Sequence, residues 1–267
     1  MAVRPSARSR IRRVAAAAAV GSTLVLGACA GQSTGLGINL VSEQQVAQMG
    51  AQTWQQMRQE MPPSRNATYQ QAARQIADRL LTAAGHDPRQ WEVMVFAGEE
   101  ANAFALPGRK IGVYEGMFRV AANESQLAAV IGHEIGHVDA NHSQERLSSQ
   151  MATQMGVDLA GAALGQAGMG QPEQVAALLG AGAQYGLLLP YSRNQELDAD
   201  RRGLVYMARA GYDPRAAVEL WQRMSQAGGA QPPVFASTHP GHEQRIQYLQ
   251  QMMPEALEIY RQAGGRM

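Results

Sequence analysis

The sequence predicts an α+β domain, mostly helical, built around one small β-sheet. Three observations lead there. Apolar residues recur at helical spacing along most of the chain. The β-rich stretches cluster in one place, between Trp91 and Tyr114. Glycines number 28 against 4 Phe and 3 Trp, so the core must close on small residues, which suits tightly packed helices.

The elements follow in order. Ser42 to Gln59 opens with Ser42-x-x-Gln45, a capping-box pattern, and ends before Pro62-Pro63. Ala67 to Ala84 carries Ala72, Ala73, Ile76, Leu80 and Leu81 on one helical side and stops before Gly85. Trp91 to Phe96 reads as a strand. Ala103 to Leu106 and Lys110 to Tyr114 read as two more around the turn Pro107-Gly108-Arg109. Asn123 to Met151 reads as one long helix capped by Asn123. Asn194 to Ala210 is a second, closed by Gly211, and a third runs from Pro214 to about Gln226. Gly228 to Pro233 is a loop, and His242 to Ala263 is a last helix interrupted near Pro254. Met155 to Leu189 is rich in Gly, Ala and Leu. It reads as a packed helical hairpin, a mobile lid or a membrane-dipping element, with no uninterrupted apolar run long enough for a membrane-spanning helix.

The 267 residues suit one enzyme domain, and 45% apolar content suffices for its core. A net charge of +1 leaves no nucleic-acid footprint, and a single cysteine excludes an internal disulfide. Arg4, Arg8, Arg10, Arg12 and Arg13 precede the apolar stretch Val14 to Leu26, the layout of an export signal. Leu26-Gly27-Ala28-Cys29 then resembles a bacterial lipobox. The expected organisation is a lipoprotein signal over residues 1–28, a lipidated Cys29 with a flexible tether over 29–41, and the enzyme domain over 42–267. Ala30 after Cys29 points to an outer-membrane lipoprotein facing the periplasm of a Gram-negative cell, held to the membrane through its lipid anchor.

His133-Glu134-Ile135-Gly136-His137 is the pattern His-Glu-x-x-His. On a helix its two imidazoles lie about 40° apart and one turn along, so both reach one ion. Glu134 falls beside that ion, where it can take a proton from water. Gly136 leaves room for another backbone. His142, on a continuing helix, falls about 140° from His137 and cannot join. The third ligand comes from Glu196-Leu197-Asp198-Ala199-Asp200. Glu196 and Asp200 share a helix face, so Glu196 can bind metal while Asp200 orients a histidine. Asp198 reads as a solvated helix charge, and His86 and His242 as surface residues. Two His and one Glu leave a fourth position for water, the arrangement of a catalytic zinc, one per chain.

Four stretches carry a family resemblance. They are Asn102-Ala103-Phe104-Ala105-Leu106-Pro107-Gly108, Ile131 to His137, Arg193-x-x-Glu196-x-x-Ala199-Asp200, and Ser237-Thr238-His239-Pro240-x-x-Glu243-x-Arg245-Ile246. The chain resembles the gluzincin zinc metallopeptidases that include HtpX-type heat-shock proteases and CAAX prenyl proteases. Within them it is most similar to the periplasmic lipoprotein branch and the mitochondrial OMA-type proteases. The resemblance implies a zinc endopeptidase acting on unfolded or extended polypeptides, in quality control of envelope proteins. It implies that Asn102, Ala103, Phe104 and Ala105 form a sheet edge over the active-site helix that binds substrate as an added strand. His239 is implied to lie near the metal, either stabilising the oxyanion or capping the zinc. Arg245 is implied to order that loop or assist catalysis. Arg109 departs from the family, which often has a second Gly there.

Overall fold

A computed structural model describes residues 40–163, 191–227 and 234–266. Helix α1 (Glu43–Glu60) starts at Ser42 with both halves of the capping box formed. Helix α2 (Ala67–Ala83) is capped by Asn66, whose side chain accepts from Thr68 and Tyr69 N–H. A 3₁₀ turn, Pro88–Gln90, leads into the three strands. Strands β1 (Glu92–Phe96), β2 (Ala103–Leu106) and β3 (Lys110–Tyr114) form a sheet of order β1-β3-β2. β3 is central and wholly buried, parallel to β1 and antiparallel to β2. The turn into β3 holds Gly108 at φ 82° and Arg109 at φ 66°, so the residue that departs from the family sits in a backbone conformation glycine adopts freely.

The sheet alternates as the pleat requires. Val95, Ala103, Ala105, Ile111 and Val113 face the main core with α2 and the central helix. Phe96, Leu106 and Tyr114 face the other way, onto Trp54 of α1. The Trp54 and Phe96 rings meet edge-on at 5.4 Å, and the Trp54 indole donates to Glu92 at 2.9 Å. The free side of β1 is closed by Ser64 N–H and the Gln70 amide, both bonding Val95. Among the described residues, that leaves β2 as the edge strand with no strand paired on its outer side.

A short helix α3 (Met117–Val120) precedes α4 (Glu124–Asp139), which Asn123 caps. Here the structure corrects the sequence reading. The expected helix from Asn123 to Met151 is two helices, α4 and α5 (His142–Ala163). Asn141 breaks it at φ 54°, a left-handed conformation that asparagine tolerates better than most residues. Helices α6 (Arg193–Arg209), α7 (Arg215–Ala227), α8 (Val234–Thr238) and α9 (His242–Gln262) complete the described chain. The interruption expected near Pro254 is absent. Pro254 lies inside α9, where Leu249 and Ala256 are buried and their packing holds the helix across the missing N–H. The hairpin or lid at Met155 to Leu189, the loop at Gly228 to Pro233, the leader and Cys29 fall largely or wholly outside the described residues. No described helix is long and apolar enough to cross a membrane.

Candidate metal centre

Two helices build the centre by approaching at backbone distance. A Cβ on Gly136 would lie 2.8 Å from the Ala199 carbonyl oxygen, and one on Gly203 would lie 2.7 Å from His133 N. Without side chains there, α6 lies against α4 and delivers Glu196 to His133 and His137. His133 Nε2 and His137 Nε2 are 3.0 Å apart. Glu196 Oε2 lies 3.3 Å from His133 Nε2, and Oε1 lies 3.5 Å from His137 Nε2. His239, after α8, brings Nδ1 to 3.1 Å from both His133 Nε2 and Glu196 Oε1. All four residues are buried, and their ligand atoms lie within 4.8 Å of one another.

These spacings test the donor set against a metal. Zinc–ligand bonds of roughly 2.05 Å place the corners of a tetrahedron about 3.4 Å apart. The five separations given above, 3.0 to 3.5 Å, lie near that figure. Three imidazole nitrogens and a carboxylate, buried and converging, are donors of the kind that zinc takes.

Glu134 is buried at 1% exposure beside this cluster. Its Oε2 accepts from Ala105 N–H at 3.0 Å, and its Oε1 lies 3.2 Å from His239 Nε2. Burial raises its carboxyl above the usual range, and the charge of Glu196 adds to that against the opposing histidines. Asn102 accepts Tyr114 N–H through its carbonyl, so Ala103 and Ala105 point their N–H groups away from β3. Both outward N–H groups are taken, Ala103 by the Asn102 side chain at 3.0 Å and Ala105 by Glu134. Phe104 lies on the opposite face, its ring across Gly112, among the aromatic residues under α1.

Asp200 Oδ1 lies 2.9 Å from His133 Nδ1, the orienting position. Arg245 is 1% exposed and is not free to meet a reacting oxyanion. Its guanidinium grips Asp200 through Nε at 2.6 Å and the second nitrogen at 2.5 Å, and pairs with Glu196 at 2.6 Å. It also donates to the His239 carbonyl at 3.3 Å and stacks over Trp221 at 3.8 Å. Arg245 therefore braces two carboxylates and the His239 loop. Burial works against charge on Glu196 and Asp200, but Arg245 overcomes it and holds both carboxyls below their usual range. For His133, burial and Arg245 push the pKa down, yet Asp200 and Glu196 outweigh them and raise it to about 9. His137 is pushed well down by burial and by His133.

Sequence reasoning missed three neighbours. His142 is 5% exposed and places Nδ1 2.9 Å from His137 Nδ1. Burial holds its pKa down at about 4. Asp198, expected to be a solvated charge, faces His142 Nε2 at 3.6 Å while accepting from Arg202 at 2.8 Å. Tyr191 stacks on the His137 ring at 3.7 Å. The signal for His142 was Asn141, which permits the chain to turn back. His86 is only partly exposed, and its Nε2 lies 2.7 Å from Asp139.

The chain matches peptidase family M48 over residues 64–253. Among curated proteins it is similar to the mitochondrial metalloendopeptidase OMA1 of Schizosaccharomyces pombe, at 38% identity over 73% of this chain and 56% of that protein. Arabidopsis thaliana OMA1 is 35% identical over 73% of this chain and 39% of the relative. The β-barrel assembly-enhancing protease of Escherichia coli K12 is 29% identical over 83% of this chain and 45% of that protein. The chain thus spans about half the length of these relatives. They also overturn the outer-membrane placement read from the leader, because the relatives of higher identity are mitochondrial.

Proposed function

Because the chain belongs to peptidase family M48, whose members use zinc, we propose that it is a zinc-dependent endopeptidase with one zinc held by His133, His137 and Glu196. The observation that carries this is the buried, tetrahedrally spaced donor set with Glu134 beside it. Zinc, when bound, supplies Lewis acidity to the scissile carbonyl and to the attacking water. Glu134 takes the proton from that water and returns it to the leaving amine. Ala105 N–H holds one Glu134 oxygen in place, and the other, which lies 3.2 Å from His239 Nε2, takes the proton.

The substrate is an extended polypeptide laid along β2, read through Asn102 to Ala105 mainly by backbone. The outward N–H groups of Ala103 and Ala105 are engaged, so such a strand first meets their carbonyls. Backbone reading suits unfolded or damaged proteins of varied sequence, which supports a role in protein quality control. His239 is the fourth donor of the centre, and its place among the ligand atoms favours an inhibitory cap over an oxyanion donor. The leader reading stands as a separate proposal that commits to no membrane. Residues 1–28 are removed, Cys29 is acylated, and 42–267 is the catalytic domain, which mass spectrometry of the mature N-terminus tests.

Turnover of a casein-like substrate, with zinc content measured alongside, tests the main reading. Glu134→Gln keeps zinc and loses activity by about 100-fold or more. His239→Ala raises basal proteolysis if the imidazole is a cap and lowers it if it assists catalysis. Full activity in Glu134→Gln removes the proposed mechanism.

A further inference from the structure

The two histidines of the centre are held differently. His133 turns its outer nitrogen to a carboxylate, Asp200. His137 turns its outer nitrogen to another imidazole, with Nδ1 of His137 and Nδ1 of His142 2.9 Å apart. At that distance one nitrogen carries a proton and the other accepts it. His137 offers Nε2 to the centre, which needs a bare lone pair there, so its proton sits on Nδ1. His142 Nδ1 must then be bare, and its own proton lies on Nε2, the side facing Asp198 Oδ2 at 3.6 Å. Arg202 Nε donates to Asp198 at 2.8 Å and holds that side chain in place.

The backbone arranges this pairing. On an unbroken helix His142 would point away from His137. The left-handed turn at Asn141 ends α4 and starts α5 with His142 folded back beneath the His137 ring. Tyr191 covers one face of that ring at 3.7 Å, fixing its tilt but not its rotation. The rotation is set by the hydrogen bond in the ring plane.

We propose that His142 is a positioning residue of the metal centre: it accepts the His137 Nδ1–H and so fixes the tautomer and rotation of His137, with its own outer nitrogen turned toward the Asp198 carboxylate. This rests on reading the centre as a zinc site. His142 touches neither metal nor substrate, and it acts through His137 alone. A neutral acceptor on His137 beside a charged one on His133 makes the two ligands unequal, with His133 the stronger base.

The test is zinc affinity, measured by chelator competition on the full chain, with absorption of the cobalt-substituted protein as a second readout. His142→Leu keeps apolar bulk and removes the acceptor. It is expected to weaken zinc about 10–100-fold and to shift the cobalt bands. His142→Asn places an amide oxygen near the Nδ1 position and restores wild-type bands and affinity to within about threefold, as expected of an acceptor outside the coordination sphere. If His142→Leu does not fold, nitrogen-15 spectra of histidine-labelled wild-type zinc protein decide instead. A bare His142 Nδ1 and a protonated His137 Nδ1 support the proposal, and a proton on His142 Nδ1 overturns it. A folded His142→Leu that binds zinc like wild type also overturns it. Wild-type protein that binds no zinc would instead defeat the reading of the centre itself.

Discussion

Gly203→Ala isolates how the centre is assembled. The added methyl would lie 2.7 Å from His133 N and 2.8 Å from the Gly132 carbonyl carbon, whereas ordinary contact begins near 3.4 Å. Both neighbours are backbone and cannot rotate aside, so α4 and α6 must part by roughly 0.7 Å. Two effects then oppose each other. Alanine favours a helix over glycine by about 0.8–1.0 kcal/mol. Overpacking a closed contact costs about 1–3 kcal/mol. The difference is a net loss of about 0–2 kcal/mol, or up to roughly 8 °C in Tm for a chain of this size. The metal feels more, since ligand positions tolerate only about 0.2 Å. Zinc affinity is expected to fall at least about 10-fold, as when a ligand's support is lost. Gly136→Ala, 2.8 Å from the Ala199 oxygen, should behave alike. Gly132→Ala, 3.2 Å from the Gly203 oxygen, should be milder. Thermal unfolding and chelator competition measure both quantities. A Gly203→Ala protein with a higher Tm and unchanged zinc affinity refutes the close-packing argument.

Further outcomes follow from the site and the sheet. Glu196→Ala should lose zinc and activity together, and metal analysis showing zinc retained would reject Glu196 as a ligand. In the metal-free protein His133 titrates at about 9 against 6.5 for the free group, so it stabilises the fold fully below pH ~6.5. That stability is lost as pH rises through about 9, and urea unfolding of chelator-treated protein should weaken over this window. A flat or rising profile would contradict it. Over the same range zinc binds better as pH rises, because it competes with that proton. Arg109→Gly should relieve a left-handed backbone worth about 1–2 kcal/mol, less glycine's entropic cost of about 0.5–1 kcal/mol. A small gain in Tm is expected, and a clear fall would show that the Arg109 contact with Gln90 outweighs the strain.

Much of the site was legible because its signals are local. His133, Glu134 and His137 declare themselves by spacing on one helix, and Glu196 with Asp200 by spacing on another. Strands β2 and β3 were legible from the Pro-Gly turn between them. What escaped depends on the chain doubling back. Nothing between Asp139 and His142 breaks helical periodicity except Asn141, and a single asparagine is too weak a breaker to mark a boundary by itself. The partnership of His142 with Asp198 joins residues 56 positions apart. Pro254 misled in the other direction, since one missing hydrogen bond matters less than the burial of Leu249 and Ala256 around it.

Among the described residues, the carboxylates that face His133, His137 and His142 sit on α6, within the five residues Glu196 to Asp200. Substitution can remove them only singly. An insertion or deletion of one residue, placed between Asp200 and the Gly203 contact, would swing all three through about 100° at a stroke. Sequence length is therefore more tightly constrained than composition along this stretch. The chain can drift at Leu197 or Arg201 while keeping its count, but gaining or losing a single residue there displaces Glu196, Asp198 and Asp200 in one event.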